Sequence, residues 1–273
     1  MRIRLTAVLL CAGVLAGCSS APLSQLQDTT PKGSAVSQAL AGAYAEFATV
    51  EVTEMVDLKD GDYFAKKGLD AARGGEPVPE VVTDWEVEEQ AVVSLQGARH
   101  RLAAALANRP DDAAPGLAAK AQVGFDCWIE QQEEGYQPGD IENCRKVFVS
   151  SVNDLEQRED YPHSIFFELD ADALSPAAKQ RIETLAARAL RLGVPRITVV
   201  GHADSTGNEH HNLALSLRRA DVVEQALVEA GVPSDRVGVA AAGENRLRIM
   251  TDDGVAEPQN RRVELLFQPV VGW

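Results

Sequence analysis

From Ser164 to Phe267 strand-like and helix-like segments alternate, which restricts the C-terminal part of the chain to a sheet with helices laid on it. Ser164 to Leu169 has the pattern of a strand. Ser175-Pro176 supplies an N-cap followed by proline at the first helical position, and Ala177 to Leu192 predicts an amphipathic helix that ends at Gly193. Arg196 to Val200 predicts a second strand. A longer helix follows, with Leu213, Leu217, Ala220, Val223 and Leu227 on one face and Gly231-Val232-Pro233 as its stop. Arg236 to Ala242 and Arg261 to Phe267 supply two more strands, giving a βαβαββ order and a two-layer α/β unit on a mixed sheet over 160–270.

Upstream the pattern is helical. Leu40, Tyr44 and Phe47 recur at spacings of four and three, and Val92, Leu95, Arg99, Leu102 and Leu106 continue that periodicity. Turn clusters at Gly74-Gly75-Glu76-Pro77 and Arg109-Pro110-Asp111-Asp112 separate the helices, so 37–155 is expected to be a mainly helical domain and the whole chain α+β. Its densest stretch, Phe125 to Glu134, predicts a core Trp128 beside a solvated acidic face, with a partner-binding surface as the alternative. Cys127 and Cys144 form an even pair that an oxidising compartment would join as a disulfide; zinc, the competing reading, finds no CxxC pair or histidine at ligand spacing.

The N-terminus has the order of a secretory signal over 1–17: Arg2 and Arg4, an apolar run from Leu5 to Leu15, then Leu15-Ala16-Gly17-Cys18. That run is shorter than the ~20 residues a membrane-spanning helix needs. Leu-Ala-Gly-Cys resembles the bacterial lipobox, which makes Cys18 the expected lipidation site, and Ser19 after it resembles lipoproteins sent on to the outer membrane. Residues 18–36, with Pro22, Pro31 and Gly33 among Ser, Thr and Gln, are expected to form a flexible tether.

Chemistry concentrates after the second strand. Gly201-His202-Ala203-Asp204-Ser205-Thr206-Gly207 follows it, Asn212 to Ala220 opens the next helix as Asn-x-x-Leu-Ser-x-x-Arg-Ala, and Asn260-Arg261-Arg262-Val263-Glu264 leads into the last strand. Ligands in α/β units gather at the carboxyl ends of strands. These three motifs, in this order over about Ser164 to Phe267, resemble the OmpA-like peptidoglycan-binding domain shared by OmpA tails, Pal lipoproteins and flagellar stator proteins. The resemblance implies that Asp204 and Arg219 clamp the diaminopimelate of the stem peptide. A carboxylate would take its ammonium, and a guanidinium fork its carboxylate. It also implies support from Asn212, a pocket wall at Leu213, a ligand-facing Asp170, and one of Arg261 and Arg262 closing the site while the other faces solvent. Ala203 stands where the family usually has threonine, which removes a hydroxyl.

A formal net charge of −15 argues against nucleic acid as a partner, because phosphate binding needs a positive face. His202, Asp204, His210 and His211 are possible zinc ligands, yet no His-Glu-x-x-His motif or nucleophile elbow accompanies them. No enzyme activity, cofactor or metal is therefore expected. The expectation is an outer-membrane lipoprotein, facing the periplasm, that binds peptidoglycan non-covalently and ties membrane to wall. The alternative is an envelope scaffold whose helical domain recruits a partner protein while wall binding positions it.

Overall fold

The structure is a computed structural model and describes residues 20–109, 113–157 and 163–269. The segment 1–17, Cys18, Pro110-Asp111-Asp112 and Tyr161-Pro162 lie outside the described residues.

The N-terminal part is a helical bundle: α1 (Ala21–Asp28), α2 (Ala35–Val50), α3 (Leu58–Ala72), α4 (Glu89–Asn108), α5 (Pro115–Glu134) and α6 (Pro138–Glu156). The stretch expected to be a tether is largely structured. Ser20 caps α1 by accepting from the Leu23 amide, Pro22 sits in its first turn where no amide is needed, and Leu23 and Leu26 are buried. Leu26 packs against Gly68 of α3, where an added Cβ would lie 2.5 Å from Leu26 Cδ2. Composition suggested slack, but two leucines three positions apart are enough to seat a short helix on a preformed core.

A disulfide joins Cys127 of α5 to Cys144 of α6, with 5.6 Å between their Cα atoms. Trp128 is buried, with the Arg145 guanidinium 5.7 Å from its ring centre. The acidic groups around it are not all solvated as expected: Asp126 and Glu130 are buried, along with the neutral Gln131, while Glu133 and Glu134 are half-buried. Asp126 is held by its neighbours. It accepts from Tyr44 Oη (2.6 Å), Lys67 Nζ (2.7 Å) and the Glu80 amide (2.9 Å), while Glu80 also pairs with Lys67 and accepts from Tyr63 and Trp85. A buried charge with its partners supplied fixes the 75–87 segment across the bundle.

The C-terminal part follows the expected order: β1 (His163–Phe166), α7 (Pro176–Leu192), β2 (Arg196–His202), α8 (Glu209–Glu229), β3 (Val237–Gly243) and β4 (Arg262–Gln268). The sheet runs β1-β4-β2-β3, with β4 antiparallel to β1 and β2, and β2 parallel to β3. Ser175 caps α7 and Gly193 ends it at φ 70°, a left-handed angle that glycine adopts without strain. β1 stops at Phe166, short of the expected Leu169. Only the Phe167 amide still bonds to the Arg261 carbonyl (2.9 Å), after which the chain turns through Asp170 at φ 52°.

The two parts share one core. Leu95, Leu102, Phe125, Phe148 and Leu155 of the bundle belong to the same buried cluster as Ile165, Ile182, Leu185, Val199, Leu265 and Phe267. Asn108, at the end of α4, completes the sheet edge beyond β1. Its Nδ2 donates to the Phe267 carbonyl (2.6 Å) and its Oδ1 accepts from the Phe267 amide (2.9 Å), as a neighbouring strand would. Among the described residues the helical and α/β parts thus form one packed unit.

Candidate functional site

β2 delivers Asp204 at its carboxyl end, and glycine makes that delivery possible. A Cβ at Gly201 would lie 1.8 Å from the Ser216 carbonyl oxygen, so only glycine lets α8 pack this closely on the strand. Ser216 reinforces the junction by accepting from the Gly243 amide (3.0 Å) and donating to the Leu213 carbonyl (2.8 Å). His202 lies buried, its Nε2 3.4 Å from Glu264. Burial works against the Glu264 charge, but His202 and Arg262 outweigh it and hold the carboxyl down at about 2. The Gly-His, Ser and Val-Glu elements of the three motifs are therefore scaffold.

Asp204 is 3% exposed, and both of its carboxylate oxygens accept hydrogen bonds. Oδ1 accepts from Thr206 Oγ1 (2.5 Å) and, weakly, from the Thr206 amide (3.4 Å), while Oδ2 accepts from Arg261 Nη1 (3.0 Å). Burial pushes its pKa up, yet the bonds from Thr206 and Arg261 prevail and leave it below the ordinary carboxylate value. Arg261 spends Nε on the Phe167 carbonyl (3.2 Å) and Nη1 on Asp204; its Nη2 makes no hydrogen bond among the described residues. Asn212 is buried beside them, its Nδ2 shared between the Asp204 carbonyl (3.2 Å) and Glu244 Oε2 (2.5 Å).

Arg219 differs from expectation. Expected to clamp a ligand, it is 0% exposed. Its Nε donates to the Ala171 carbonyl (2.7 Å), Nη1 to the His202 carbonyl (3.2 Å) and Nη2 to the Glu168 carbonyl (3.0 Å), with the Phe167 ring centre 5.3 Å away. Burial lowers its pKa to about 10, so it remains a cation at neutral pH. These bonds explain the early end of β1: the carbonyls of Glu168 and Ala171 turn inward to Arg219 instead of pairing with β4. Arg262 also departs from expectation. It is 4% exposed, donating from Nε to Glu264 Oε1 (2.7 Å), so neither arginine of the Arg-Arg pair is a solvent residue.

Asp204, Arg219, Arg261 and Asn212 converge. Asp170 lies on the rim, 70% exposed at its side chain and 3.0 Å from His211 Nε2, and Arg218 pairs with Asp172 (3.0 Å) beside it. Leu213 is 42% exposed and offers the site mainly its backbone, whose amide would be 3.2 Å from a Cβ at Gly243. Ala203, buried, spends its amide on the Gly243 carbonyl (2.9 Å). Sequence reasoning missed Glu244, Thr206 and Ser205. Ser205 anchors the loop on the far side by donating to the Asp252 carbonyl (2.8 Å), while its own carbonyl accepts from Gly254 (2.8 Å). Only the position of Ser205 and Thr206 beside Asp204 could have pointed to them. Among the described residues no group of three or more His, Cys, Asp or Glu is placed to hold a metal, and no helix is long and apolar enough to cross a membrane.

This combination defines a two-layer α/β domain with an ion-paired polar site at a strand end. The model of the OmpA family matches residues 166–261, the segment that builds it. The peptidoglycan-associated lipoprotein of Haemophilus influenzae is 30% identical over 117 residues, covering 43% of this chain and 74% of the relative. That of Brucella melitensis is 36% identical over 98 residues, covering 36% and 58%. An outer membrane protein of Gluconacetobacter diazotrophicus is 32% identical over 109 residues, and the chain spans 29% of its length. The crystal structure of the peptidoglycan-associated lipoprotein from Burkholderia pseudomallei aligns with 26% identity and a TM-score of 0.36, over 38% of this chain and 89% of that one. The chain belongs to the OmpA family through its C-terminal domain.

Proposed function

We propose that the chain is an outer-membrane lipoprotein, anchored through Cys18 and facing the periplasm, that binds peptidoglycan non-covalently at the site around Asp204. The names of the Haemophilus and Brucella relatives support the ligand class. The observation that carries the reading is the convergence of one ionised carboxylate and two guanidinium groups at the end of β2. A zwitterionic amino-acid end such as that of diaminopimelate matches it: the ammonium goes to Asp204 and the carboxylate to the arginines. Arg261 offers Nη2 as it stands. Arg219 keeps one N–H on each terminal nitrogen, but a ligand reaches them only if the 168–171 segment lifts, so its first role is to hold that segment. Asn212 fixes the Asp204 backbone, and Asp170 meets the ligand at the rim.

The hydroxyls of the site brace its loop: Thr206 Oγ1 donates to the Asp204 carboxylate and Ser205 Oγ to the Asp252 carbonyl. The test is co-sedimentation of the chain with purified diaminopimelate-type peptidoglycan, beside Asp204→Asn and Arg261→Ala. Binding by the parent and its loss in both folded variants is the expected result; a parent that stays in the supernatant overturns the assignment.

A further inference from the structure

On the side of the bundle formed by α2, α5 and α6 lies an open groove of about 620 Å³ that the wall-binding site does not use. Its surface is made by Phe47, Ala119, Val123, Val147 and the Cys127–Cys144 disulfide. Gly42 and Gly116 widen it, since a Cβ at either would meet nothing within 4 Å. The polar residues that line it, Glu46, Lys120 and Asn143, are exposed. The walls of the groove are thus mainly apolar and suit an apolar occupant.

We infer that the groove houses an acyl chain carried by this protein's own Cys18. The inference rests on the lipid-anchor part of the proposed function. Cys18 stands two positions before Ser20, the N-cap of α1, so the lipid starts at the bundle instead of at the end of a long tether. α1 is seated on α2 and α3, with Gln27 Nε2 3.4 Å from Thr49 Oγ1 of α2. α2 therefore bears α1 on one flank and forms a wall of the groove on another. Two residues span about 7 Å, and an acyl chain about 15 Å, half the hydrocarbon thickness of a bilayer. Their combined reach of roughly 20 Å is about twice the ~10–12 Å diameter of a helix such as α2. Each methylene withdrawn from water favours occupancy whenever the protein is off the membrane.

The experiment uses three forms of the full chain: acylated protein extracted from bacterial envelopes, an unacylated Cys18→Ser chain, and Cys18→Ser carrying Gly42→Trp. Gly42→Trp fills the groove at a position open enough to spare the fold, which circular dichroism and thermal melting check. The probe is cis-parinaric acid, a fatty acid whose fluorescence rises in apolar surroundings. The Cys18→Ser chain should bind it saturably. The acylated chain and the Gly42→Trp variant should each bind it about tenfold more weakly, one groove being occupied and the other blocked. Equal binding by acylated and unacylated chains, or by chains with and without Gly42→Trp, overturns the inference while leaving the anchor intact. Mass spectrometry that finds no acyl group on Cys18 overturns both. Flotation of the Cys18→Ser chain with phosphatidylethanolamine vesicles, abolished by Gly42→Trp, would assign the groove to the bilayer surface and likewise overturn it.

Discussion

Adjacent arginines on α8 meet opposite surroundings. Arg218 pairs with Asp172 at the surface, while Arg219 is sealed beneath the 168–171 segment. Arg219→Ala is therefore not a clean binding variant. It would strand the carbonyls of Glu168, Ala171 and His202 and open a cavity, at a cost on the order of 3 kcal/mol that a denaturant melt would read. Asp204→Asn is cleaner, since the amide oxygen can still accept from Thr206. Losing its charge should weaken wall binding by about 10- to 100-fold, the value of ~1.5–3 kcal/mol for a charged hydrogen bond, measured by co-sedimentation. Gly201→Ala should destabilise the domain by more than ~2 kcal/mol in the same melt, because its Cβ would meet backbone, which cannot rotate away.

Among the elements, the α/β half was legible because its punctuation is local. Ser175-Pro176 and Gly193 bound α7, Gly231-Val232-Pro233 ends α8, and the strands between are short apolar runs. The β1 boundary was not, because it depends on Arg219 some fifty positions away in sequence. α1 was missed for another reason. Ser20-Ala21-Pro22 has nearly the same start signature as Ser175-Pro176, but eight residues hold too few turns for periodicity to stand out from a Ser- and Gln-rich background. The join between helical and α/β halves was equally hidden, since Asn108 gives no sign in sequence that it will finish a sheet. Asn108→Ala would leave the buried Phe267 amide and carbonyl unpaired and cost about 2 kcal/mol, seen as a lower urea midpoint. A chain beginning at residue 158 should melt below the full chain, because the cluster that includes Leu265 and Phe267 loses its cover from α4.

For the whole molecule, pH should tune stability through the bundle, away from the wall-binding site. Burial, together with Glu134 and Asp60, raises Glu51 to about 7, and burial together with Glu51 raises Glu130 to about 9. Both exceed the ordinary value of 4.5, so the folded state binds protons that the unfolded state has released. Their contribution is complete below pH 4.5 and is lost as pH rises through 7 and then 9. The melting temperature should fall by on the order of 5 °C between mildly acidic and mildly alkaline buffer, and Glu130→Gln should flatten the alkaline part of that slope. Asp204 moves the opposite way. Its lowered pKa keeps it ionised across the same range, so wall binding should persist where the fold is most stable. The seating of α1 bears on mechanics. In a chain acylated at Cys18, Ser19 alone separates lipid from folded protein, so little length remains to be drawn out before force reaches the bundle. A pull between membrane and wall would act on α1 first, and the leucines that seat it would decide the load at which the link gives way.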